Sequence, residues 1–207
     1  GNPSSIHAYG REARYILDEA REGLAKSIGA SATEIIITSG GTEADNFAIT
    51  GIAEAYKKNG KHIITTQVEH HAVLHTCQQL EKKGFEVTYL PVDEEGRISA
   101  NDVKQVLRED TILVTVMFGN NEVGTLQPIQ EIGELLVDHQ AKFHSDAVQA
   151  YGLENIDVKE LKLDLLSVSA HKINGPKGIG FLYVNQSVGI APLIFGGEQE
   201  RKRRAGT

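Results

Sequence analysis

The sequence is poor in cysteine, in long hydrophobic runs and in positive charge, and each shortage excludes a class of protein. Cys77 is the only cysteine in 207 residues, so neither an internal disulfide nor a cysteine-rich metal site can form. No apolar run approaches the roughly 18 residues of a membrane-spanning helix. A formal net charge of -7 argues against a nucleic-acid-binding surface over the whole chain and is typical of a soluble cytoplasmic protein. We therefore expect no membrane and no nucleic acid as a direct partner.

The length and composition of the chain indicate one α/β domain. Of its residues 40% are hydrophobic and 24% are charged, and 207 residues is long for one domain and short for two. The sequence begins at Gly1 without a methionine and stops at Thr207 within a polar, basic stretch. We therefore expect residues 1–207 to be one domain of a longer polypeptide.

Short apolar and β-branched runs alternate with segments of helical spacing along the chain. A first helix is predicted from a cap at Ser4 or Ser5 to about Ile28, and a β-branched strand follows over residues 34–38. Residues 111–118 form an almost uninterrupted apolar run, which is typical of a strand buried on both faces. The alternation predicts a three-layer α/β/α fold with a mostly parallel central sheet.

Five polar patches follow predicted strands at the points where the strands end. In open α/β sheets, ligands bind outside the carboxyl ends of the strands, so these patches should meet at one edge. Each patch alone is a weak signal, and their repeated placement at the same edge predicts a binding site there. The patches are residues 39–42, 69–70, 120–121, Asp146 with Gln149, and 169–172.

The first patch is the turn Ser39-Gly40-Gly41-Thr42, which leads into a predicted helix. Free backbone N–H groups and the helix dipole at such a turn can hold a phosphate. The turn has neither the G-x-x-x-x-G-K-[ST] pattern of a P-loop nor a G-x-G-x-x-G dinucleotide fingerprint. On this patch alone, an ordinary strand–helix turn with Thr42 as its N-cap is an equally good interpretation.

Lys172 lies between two apolar runs, one ending at Val168 and the other spanning residues 178–184. A lysine surrounded by apolar strands tends to lose its proton and can then act as a nucleophile that forms a Schiff base. A surface lysine on a hairpin turn is the simpler alternative, and this segment alone favours it.

The remaining polar residues complete a set that fits one cofactor. Asp146 is either a helix cap or the partner of a buried cation, and Gln149 would share its face on a helical turn. His70 and His71 are adjacent and would not converge on one ion, so we expect no metal site. A phosphate-binding turn, a Schiff-base lysine, an acid, an amide and a flat imidazole together match pyridoxal 5′-phosphate (PLP).

Five motifs, in this order, resemble those of NifS/IscS-type cysteine desulfurases, which are fold-type I, class V aminotransferase-like enzymes. They span essentially the whole chain, and the segment at 120–124 favours this branch over the SufS-like and selenocysteine-lyase branch. The motifs are T-S-G-G-T-E at 38–43, V-E-H-H-A-V-L at 68–74, N-N-E-V-G at 120–124, H-S-D-A-V-Q at 144–149 and S-A-H-K-I-N-G-P-K-G at 169–178.

The resemblance implies a role for each residue of the site. Lys172 would hold the cofactor as a Schiff base and move the α-proton of cysteine, and His70 would stack on the ring and serve in acid–base steps. Asp146 would pair with the pyridine nitrogen, and Gln149 with the ring hydroxyl. Asn121 would lie near the ring hydroxyl and the substrate carboxylate. The phosphate would be held by Gly41, Thr42, Ser169 and His171, and Thr207 would reach the phosphate of a partner subunit.

The resemblance also implies what surrounds this chain in the intact enzyme. It implies a homodimer, L-cysteine as substrate, and a sulfur-acceptor protein such as an iron–sulfur scaffold or a tRNA-thiolation enzyme. In the family, the sulfur-accepting cysteine and the substrate-carboxylate arginine lie in a C-terminal domain beyond Thr207, and a segment before Gly1 contributes to the site. We therefore expect residues 1–207 to be the PLP-binding large domain, inactive alone. Cys77 lies at a core-like helix position, which indicates a structural thiol.

Two other functions stay open on the sequence. One is a related fold-type I enzyme, a selenocysteine lyase or an aminotransferase, which the missing C-terminal loop would distinguish. The other is a non-catalytic fragment or scaffold, which would bind no PLP. A basic run at 201–204 invites a tRNA-binding explanation, but short basic runs are more often solvated loops, and in the family this stretch leads toward the partner subunit.

Overall fold

The computed structural model describes residues 1–206, in which helices and strands alternate as the sequence predicts. No helix in this range is both long and apolar enough to cross a membrane. Short 3-10 helices lie at Ala32–Glu34, Ala170–Ile173 and Gln199–Lys202. The α-helices are α1 (Ala8–Ser27), α2 (Gly41–Tyr56), α3 (His71–Lys82), α4 (Ala100–Val106) and α5 (Ile129–Leu136). The strands are β1 (Ile35–Thr38), β2 (His62–Thr66), β3 (Glu86–Leu90), β4 (Thr111–Thr115), β5 (Lys142–Asp146), β6 (Leu165–Ser169) and β7 (Gly180–Val184).

The strands form one sheet in the order β1-β7-β6-β5-β4-β2-β3. The pairs from β6 through β5, β4 and β2 to β3 are all parallel. β7 is antiparallel to both of its neighbours, β1 and β6. The predicted mostly parallel sheet is therefore confirmed. Because β7 reverses direction between two strands that point the same way, it begins at the edge where the other strands end.

Gly180, the first residue of β7, lies where three segments of backbone approach one another. It is paired with Thr38 at the end of β1 and with Ser169 at the end of β6. A Cβ atom at this position would lie 2.4 Å from the Val168 carbonyl oxygen and 2.8 Å from the Cα of Gly40. Only glycine allows this approach, which brings the ends of β1 and β6 beside each other.

Helices cover both faces of the sheet, as the three-layer prediction requires. On one face α1, α4 and α5 contribute to a core that includes Ile28 and Ile132. On the other face α2 and α3 contribute to a second core that includes Phe47. Along β1, Ile35 belongs to the first core and Ile36 to the second, because successive strand side chains point to opposite faces. Each of these buried side chains contributes about 1.5–3 kcal/mol to folding.

The start of α1 differs from the prediction. The N-cap is His7, whose Nδ1 accepts a hydrogen bond from the Gly10 backbone N–H at 3.2 Å. Ser4 and Ser5 are instead part of a turn in which their backbone N–H groups donate to Asn2. The prediction of a serine cap was wrong because Ser4 and Ser5 belong to this turn, so the helix begins after them and the His7 imidazole supplies the cap.

Candidate active site

A cavity of about 340 Å³ lies at the sheet edge where β1, β5 and β6 end. Each of the five polar patches predicted for this edge contributes at least one lining residue. Thr207, the remaining predicted site residue, lies outside the described residues. The predicted residues that line the cavity are Gly41, Thr42, His70, Asn121, Asp146, Gln149, Ser169, His171 and Lys172.

The turn between β1 and α2 forms one end of the cavity. Gly40, rather than Thr42, is the N-cap of α2, with a φ of 148° that favours glycine. The first backbone hydrogen bond of α2 runs from the Ala44 N–H to the Gly40 carbonyl at 3.1 Å, so the preceding N–H groups are available to an anion. A Cβ atom on Gly41 would lie 2.6 Å from a methyl group of Val148. The turn therefore presents backbone rather than side chain to the cavity.

The end of β6 lies beside this turn. Ser169 is buried, and its Oγ shares a 2.7 Å hydrogen bond with Nδ1 of the exposed His171. The same Oγ lies 3.6 Å from the position that a Cβ on Gly40 would take. A hydroxyl, an imidazole and the start of a helix thus converge at one end of the cavity, which is a suitable arrangement for an anion.

Lys172 lies in the 3-10 helix Ala170–Ile173 that connects β6 to β7. This turn ends at Asn174, which has a left-handed φ of 60°, and is closed by a 2.9 Å hydrogen bond from the Gly175 N–H to the Ala170 carbonyl. The lysine is exposed and borders the cavity. Lys172 is therefore a surface lysine on the connection between two antiparallel strands, as one interpretation of the sequence has it. It also borders the cavity, as the other interpretation requires.

Asp146, the last residue of β5, forms the floor of the cavity. It is 5% exposed, and its Oδ1 accepts a 2.9 Å hydrogen bond from the Val148 N–H. Burial raises the pKa of Asp146, while the Val148 N–H and the nearby His70 oppose that rise. Gln149 follows in the turn after β5 and lines the same cavity.

His70 is the N-cap of α3, and this role fixes its ring. Its Nδ1 accepts a hydrogen bond from the Ala72 N–H at 3.1 Å, so the neutral imidazole carries its proton on Nε2. The ring is exposed at the side of the cavity. A capped helix start therefore holds an imidazole in one tautomer above the floor.

Asn120 organises the loop that carries Asn121. Its Oδ1 accepts hydrogen bonds from the N–H groups of Glu122 and Val123 at 2.8 and 3.0 Å. Its Nδ2 donates to the Val68 carbonyl at 3.1 Å, which ties this loop to the segment before α3. The exposed Asn121 borders the cavity as a result.

Comparison with known proteins places this architecture in a family. The family described as aminotransferase class-V matches residues 1–205. The chain belongs to the class-V aminotransferases. It is 68% identical over 207 residues to "Putative cysteine desulfurase IscS 1" of Bacillus subtilis (strain 168) and 57% identical to cysteine desulfurase IscS of Methanosarcina thermophila. These matches cover 100% of this chain and 55% and 51% of the two relatives, so the chain spans about half the length of the curated relatives it matches.

Solved structures agree with this assignment. The chain matches "SspA in complex with cysteine" and a "NIFS-LIKE PROTEIN", each with a TM-score of 0.97 and 44% identity. The matches cover 100% of this chain and 60% and 57% of the two solved chains. The predicted resemblance to NifS/IscS-type proteins and the predicted α/β architecture are therefore confirmed.

Asp45 is a residue of this class-V aminotransferase site that the sequence analysis missed. It lies on α2, lines the cavity and is 1% exposed. Its Oδ1 is 3.7 Å from Nε2 of the fully buried His144. A signal was present, because Asp45 lies between Ala44 and Phe47 on the face of α2 that is otherwise apolar and buried. A carboxyl group at such a position indicates a specific partner.

Glu69 was placed in a predicted patch, but its burial was not foreseen. It is 5% exposed, and its Oε1 accepts hydrogen bonds from the Thr66 hydroxyl at 2.8 Å and the Met117 N–H at 2.9 Å. Burial raises the pKa of Glu69 to about 8, despite these two donors. The side chain joins the ends of β2 and β4 behind His70.

Besides the adjacent His70 and His71, α3 carries a second histidine pair that was not predicted. His71 and His75 are one helical turn apart, with ring centroids separated by 5.2 Å. This spacing can supply two ligands to a metal ion. Across residues 1–206, no three His, Cys, Asp or Glu side chains are close enough to hold a metal ion together.

Cys77 is fully buried in the core between α2, α3 and the sheet. Burial raises the pKa of its thiol to about 12, with the charge of Glu69 adding to the effect. A neutral, inaccessible thiol packs as a small apolar side chain. This environment agrees with the structural role that its helix position predicts.

The basic residues near the C-terminus make contacts within this chain. Arg21 on α1 forms a buried ion pair with Glu200 at 2.7 Å. Arg204 pairs with Glu43 in the first turn of α2, also at 2.7 Å. Arg203 donates to the Thr33 carbonyl at 2.7 Å. Glu200, Arg203 and Arg204 therefore attach the C-terminal segment to α1, to Thr33 and to the start of α2.

Proposed function

We propose that the protein is a PLP-dependent cysteine desulfurase and that this chain forms its cofactor-binding large domain. The observation that carries the proposal is that Asp146 and Lys172 border one cavity, together with the turn at Gly41. An acid and an amine that line one small cavity suit a ring held at its nitrogen and at its aldehyde. The names of the relatives at 68% and 57% identity support cysteine as the substrate.

The anion-binding end of the cavity fits the phosphate of PLP. A side chain at Gly41 would collide with Val148, so only glycine lets the turn pack this closely against the segment after Asp146. The backbone N–H groups of Gly41 and Thr42, the Ser169 hydroxyl and His171 would hold the phosphate oxygens. A phosphate at the start of α2 would also be stabilised by the helix dipole.

The floor and side of the cavity fit the ring. Asp146 would hold the proton of the ring nitrogen, and Gln149 would bind the ring hydroxyl, with Asn121 close by. His70 would stack on the ring face and move protons through Nε2. When bound there, PLP supplies an electron sink for the negative charge that develops at the substrate α-carbon. The protein contributes orientation and electrostatics.

Lys172 would have two tasks. Its amine would bind the cofactor covalently, which explains why a lysine is needed at the cavity opening rather than in the core. After the substrate amine replaces it, the free lysine would remove the proton from the substrate α-carbon. The rigid turn between β6 and β7 keeps the amine within reach of both tasks.

The sulfur would leave this domain. A thiolate would attack the sulfur of L-cysteine, the carbon–sulfur bond would break, and the carbon would take a proton to give L-alanine. Cys77 is buried, so the thiolate would come from a cysteine outside residues 1–207. The resulting persulfide would supply an acceptor such as an iron–sulfur scaffold or a tRNA-thiolation enzyme. A homodimer in which Thr207 reaches the partner's phosphate, and a cytoplasmic location, belong to the same proposal.

Lys172→Ala in the full-length protein tests the proposal. We expect wild type to bind added PLP with the visible absorbance of a Schiff base and to retain the cofactor on dialysis. Lys172→Ala should lack this absorbance and lose the cofactor on dialysis. Lys177→Ala is the matched control, because Lys177 lies in the same connection and does not line the cavity. With cysteine, wild type and the control should release alanine and Lys172→Ala should not.

Two outcomes would contradict the proposal. A wild-type protein that stays colourless with excess PLP would favour a non-catalytic scaffold. A coloured protein that turns over selenocysteine or transfers amino groups, and leaves cysteine intact, would favour the alternative fold-type I enzymes.

A further inference from the structure

Two carboxyl groups meet at the floor of the cavity. Asp146 comes from the end of β5, and Asp45 comes from the second turn of α2. They are 5% and 1% exposed and line the same cavity. Oδ1 of Asp45 is 3.7 Å from Nε2 of His144, which lies two residues before Asp146 on the same face of β5, so the two carboxyl groups face each other. Two buried carboxylates this close cannot both be ionised without a large cost, so the pair is expected to hold one proton.

Among residues 1–206, no lysine or arginine forms an ion pair with Asp45. His144 on β5 is nearest, at 3.7 Å from Nε2 to Oδ1, but burial lowers the pKa of His144 to about 3 and leaves it neutral. Its ring nitrogens already share hydrogen bonds with Thr115 and Ser167, at 2.8 and 2.9 Å. Glu69 is a further acid near the pair. The cationic and imidazole side chains that line the same cavity, His70, His171 and Lys172, are all exposed.

The hydrogen bonds decide which member of the pair carries the proton. Asp146 accepts a backbone hydrogen bond from Val148, which favours its charged form. Oδ1 of Asp45 is buried and has no hydrogen-bond donor among residues 1–206. Burial raises the pKa of Asp45 well above its ordinary range, and the charge of Asp146 raises it further, although Ser167 opposes the effect. An acceptor without a donor is tolerated if the group is a neutral acid that donates instead.

We propose that Asp45 is a positioning residue that stays protonated and donates a hydrogen bond to Asp146, which keeps that carboxylate ionised and directed at the cofactor's ring nitrogen. The inference rests on the proposed function in one respect, the pairing of Asp146 with PLP. Asp45 acts only through Asp146, and its own contacts are with the protein. The hydrogen bond to Asp146 explains why an acid, rather than an apolar residue, occupies this position on the buried face of α2.

Three variants of the full-length protein separate this role from general stability. Asp45→Ala removes the donor, Asp45→Asn keeps a donor that cannot ionise, and Asp164→Asn alters a half-buried carboxyl near the opposite edge of the sheet. Asp164 accepts a hydrogen bond from the Phe143 N–H at 2.9 Å and is not part of the cavity. Apo proteins are first compared by thermal unfolding, so that only folded variants are scored.

The PLP dissociation constant is then measured by titration of the cofactor absorbance. Asp45→Ala should bind PLP about tenfold more weakly or worse, because a hydrogen bond to a charged group is lost. Asp45→Asn should restore binding to within about threefold of wild type, which is the scatter of a conservative exchange. Asp164→Asn should match wild type.

A second measurement reads the proton directly and does not depend on the cofactor. At neutral pH, the infrared spectrum of wild-type apo protein should contain the carbonyl stretch of a protonated buried acid, and part of this band should vanish in Asp45→Asn. If Asp45→Ala does not fold, this measurement alone decides.

An unchanged band, or equally weak PLP binding by the Asn and Ala variants, would overturn the inference. Wild type that binds no PLP would instead overturn the proposed function and leave the infrared result to be judged separately.

Discussion

The floor and the rim of the cavity are built on different physical principles. The floor is formed by Asp45 and Asp146, with Glu69 behind it, and all three are at most 5% exposed. The rim includes His171 and Lys172, both exposed. The floor groups come from strand ends and a helix face, where burial controls their protonation. The rim groups are carried on a turn, where backbone hydrogen bonds control their position.

This difference indicates what each region can contribute to chemistry. For each floor carboxyl, burial is the largest influence on the pKa, and it acts in the upward direction. A floor of this kind can hold protons that would be lost to water at neutral pH. The rim stays in contact with solvent, so a substrate can reach Lys172 from outside. Substitutions in the floor should therefore alter electrostatics, and substitutions beneath the rim should alter geometry.

The largest effect is expected from Asp146→Asn, which removes the charge of the floor and keeps its shape. In the full-length protein, kcat for alanine formation from cysteine should fall by about 100-fold or more, as when one preorganised electrostatic contact is lost. The absorbance of bound PLP should persist, because Lys172 is unchanged. If kcat stays within a few-fold of wild type, the floor does not act through the charge of Asp146.

Gly180→Ala tests the geometry beneath the rim. The added Cβ would lie 2.4 Å from the Val168 carbonyl oxygen and 2.8 Å from the Gly40 Cα, and these backbone atoms cannot move aside easily. We expect the free energy of unfolding to fall by about 2–3 kcal/mol, and PLP binding to weaken, because the ends of β1 and β6 are forced apart. Gly189→Ala is the control, since nothing lies within 4 Å of its Cβ position. Equal stability of the two variants in urea unfolding would contradict the close approach.

Glu69→Gln tests whether burial controls the protonation of the floor. The pKa of Glu69 is raised from its ordinary value of 4.5 to about 8 in the folded protein. The contribution of the neutral Glu69 carboxyl to the free energy of unfolding is therefore fully present below the unfolded-state pKa of about 4.5. It is lost as the pH rises to about 8, the pKa in the folded protein. At alkaline pH the variant should be more stable than wild type by up to about 5 kcal/mol, since one pKa unit corresponds to about 1.4 kcal/mol.

The comparison for Glu69→Gln is made by urea unfolding at several pH values. The exposed Glu94 supplies the control, and Glu94→Gln should follow the wild-type curve at every pH. Parallel curves for Glu69→Gln and wild type would mean that Glu69 is ionised in the folded state.

The smallest effect is expected from Cys77→Ala, which changes a buried group behind the floor. Loss of the sulfur atom should reduce the free energy of unfolding by about 1 kcal/mol, as for other small losses of core volume. Alanine formation from cysteine should remain within about twofold of wild type, because the thiol is neutral and inaccessible. A large loss of sulfur release with unchanged stability would assign the thiol to the chemistry instead.

The rim and the ends of the strands were largely predictable from the sequence. Glycine, lysine and asparagine at strand ends are local signals, and the cavity contains Gly41, Asn121 and Lys172 as predicted. The start of α1 was not predictable from the serines, because both lie in a turn before the helix and the His7 imidazole caps it instead. Asp45 was missed for a related reason, since a single acid in an apolar helix acquires meaning only when its partner is known.

The sequence alone determined the order of strands and helices and the positions at which polar residues follow strands, because these depend on spacing along one chain. It also determined that Cys77 has no second cysteine to bond. The tertiary structure alone decided that β7 reverses direction between β1 and β6, and that Asp45 meets Asp146. These contacts join residues distant along the chain, and the protonation of a buried pair depends on their separation and on the exclusion of water, which only the folded packing sets.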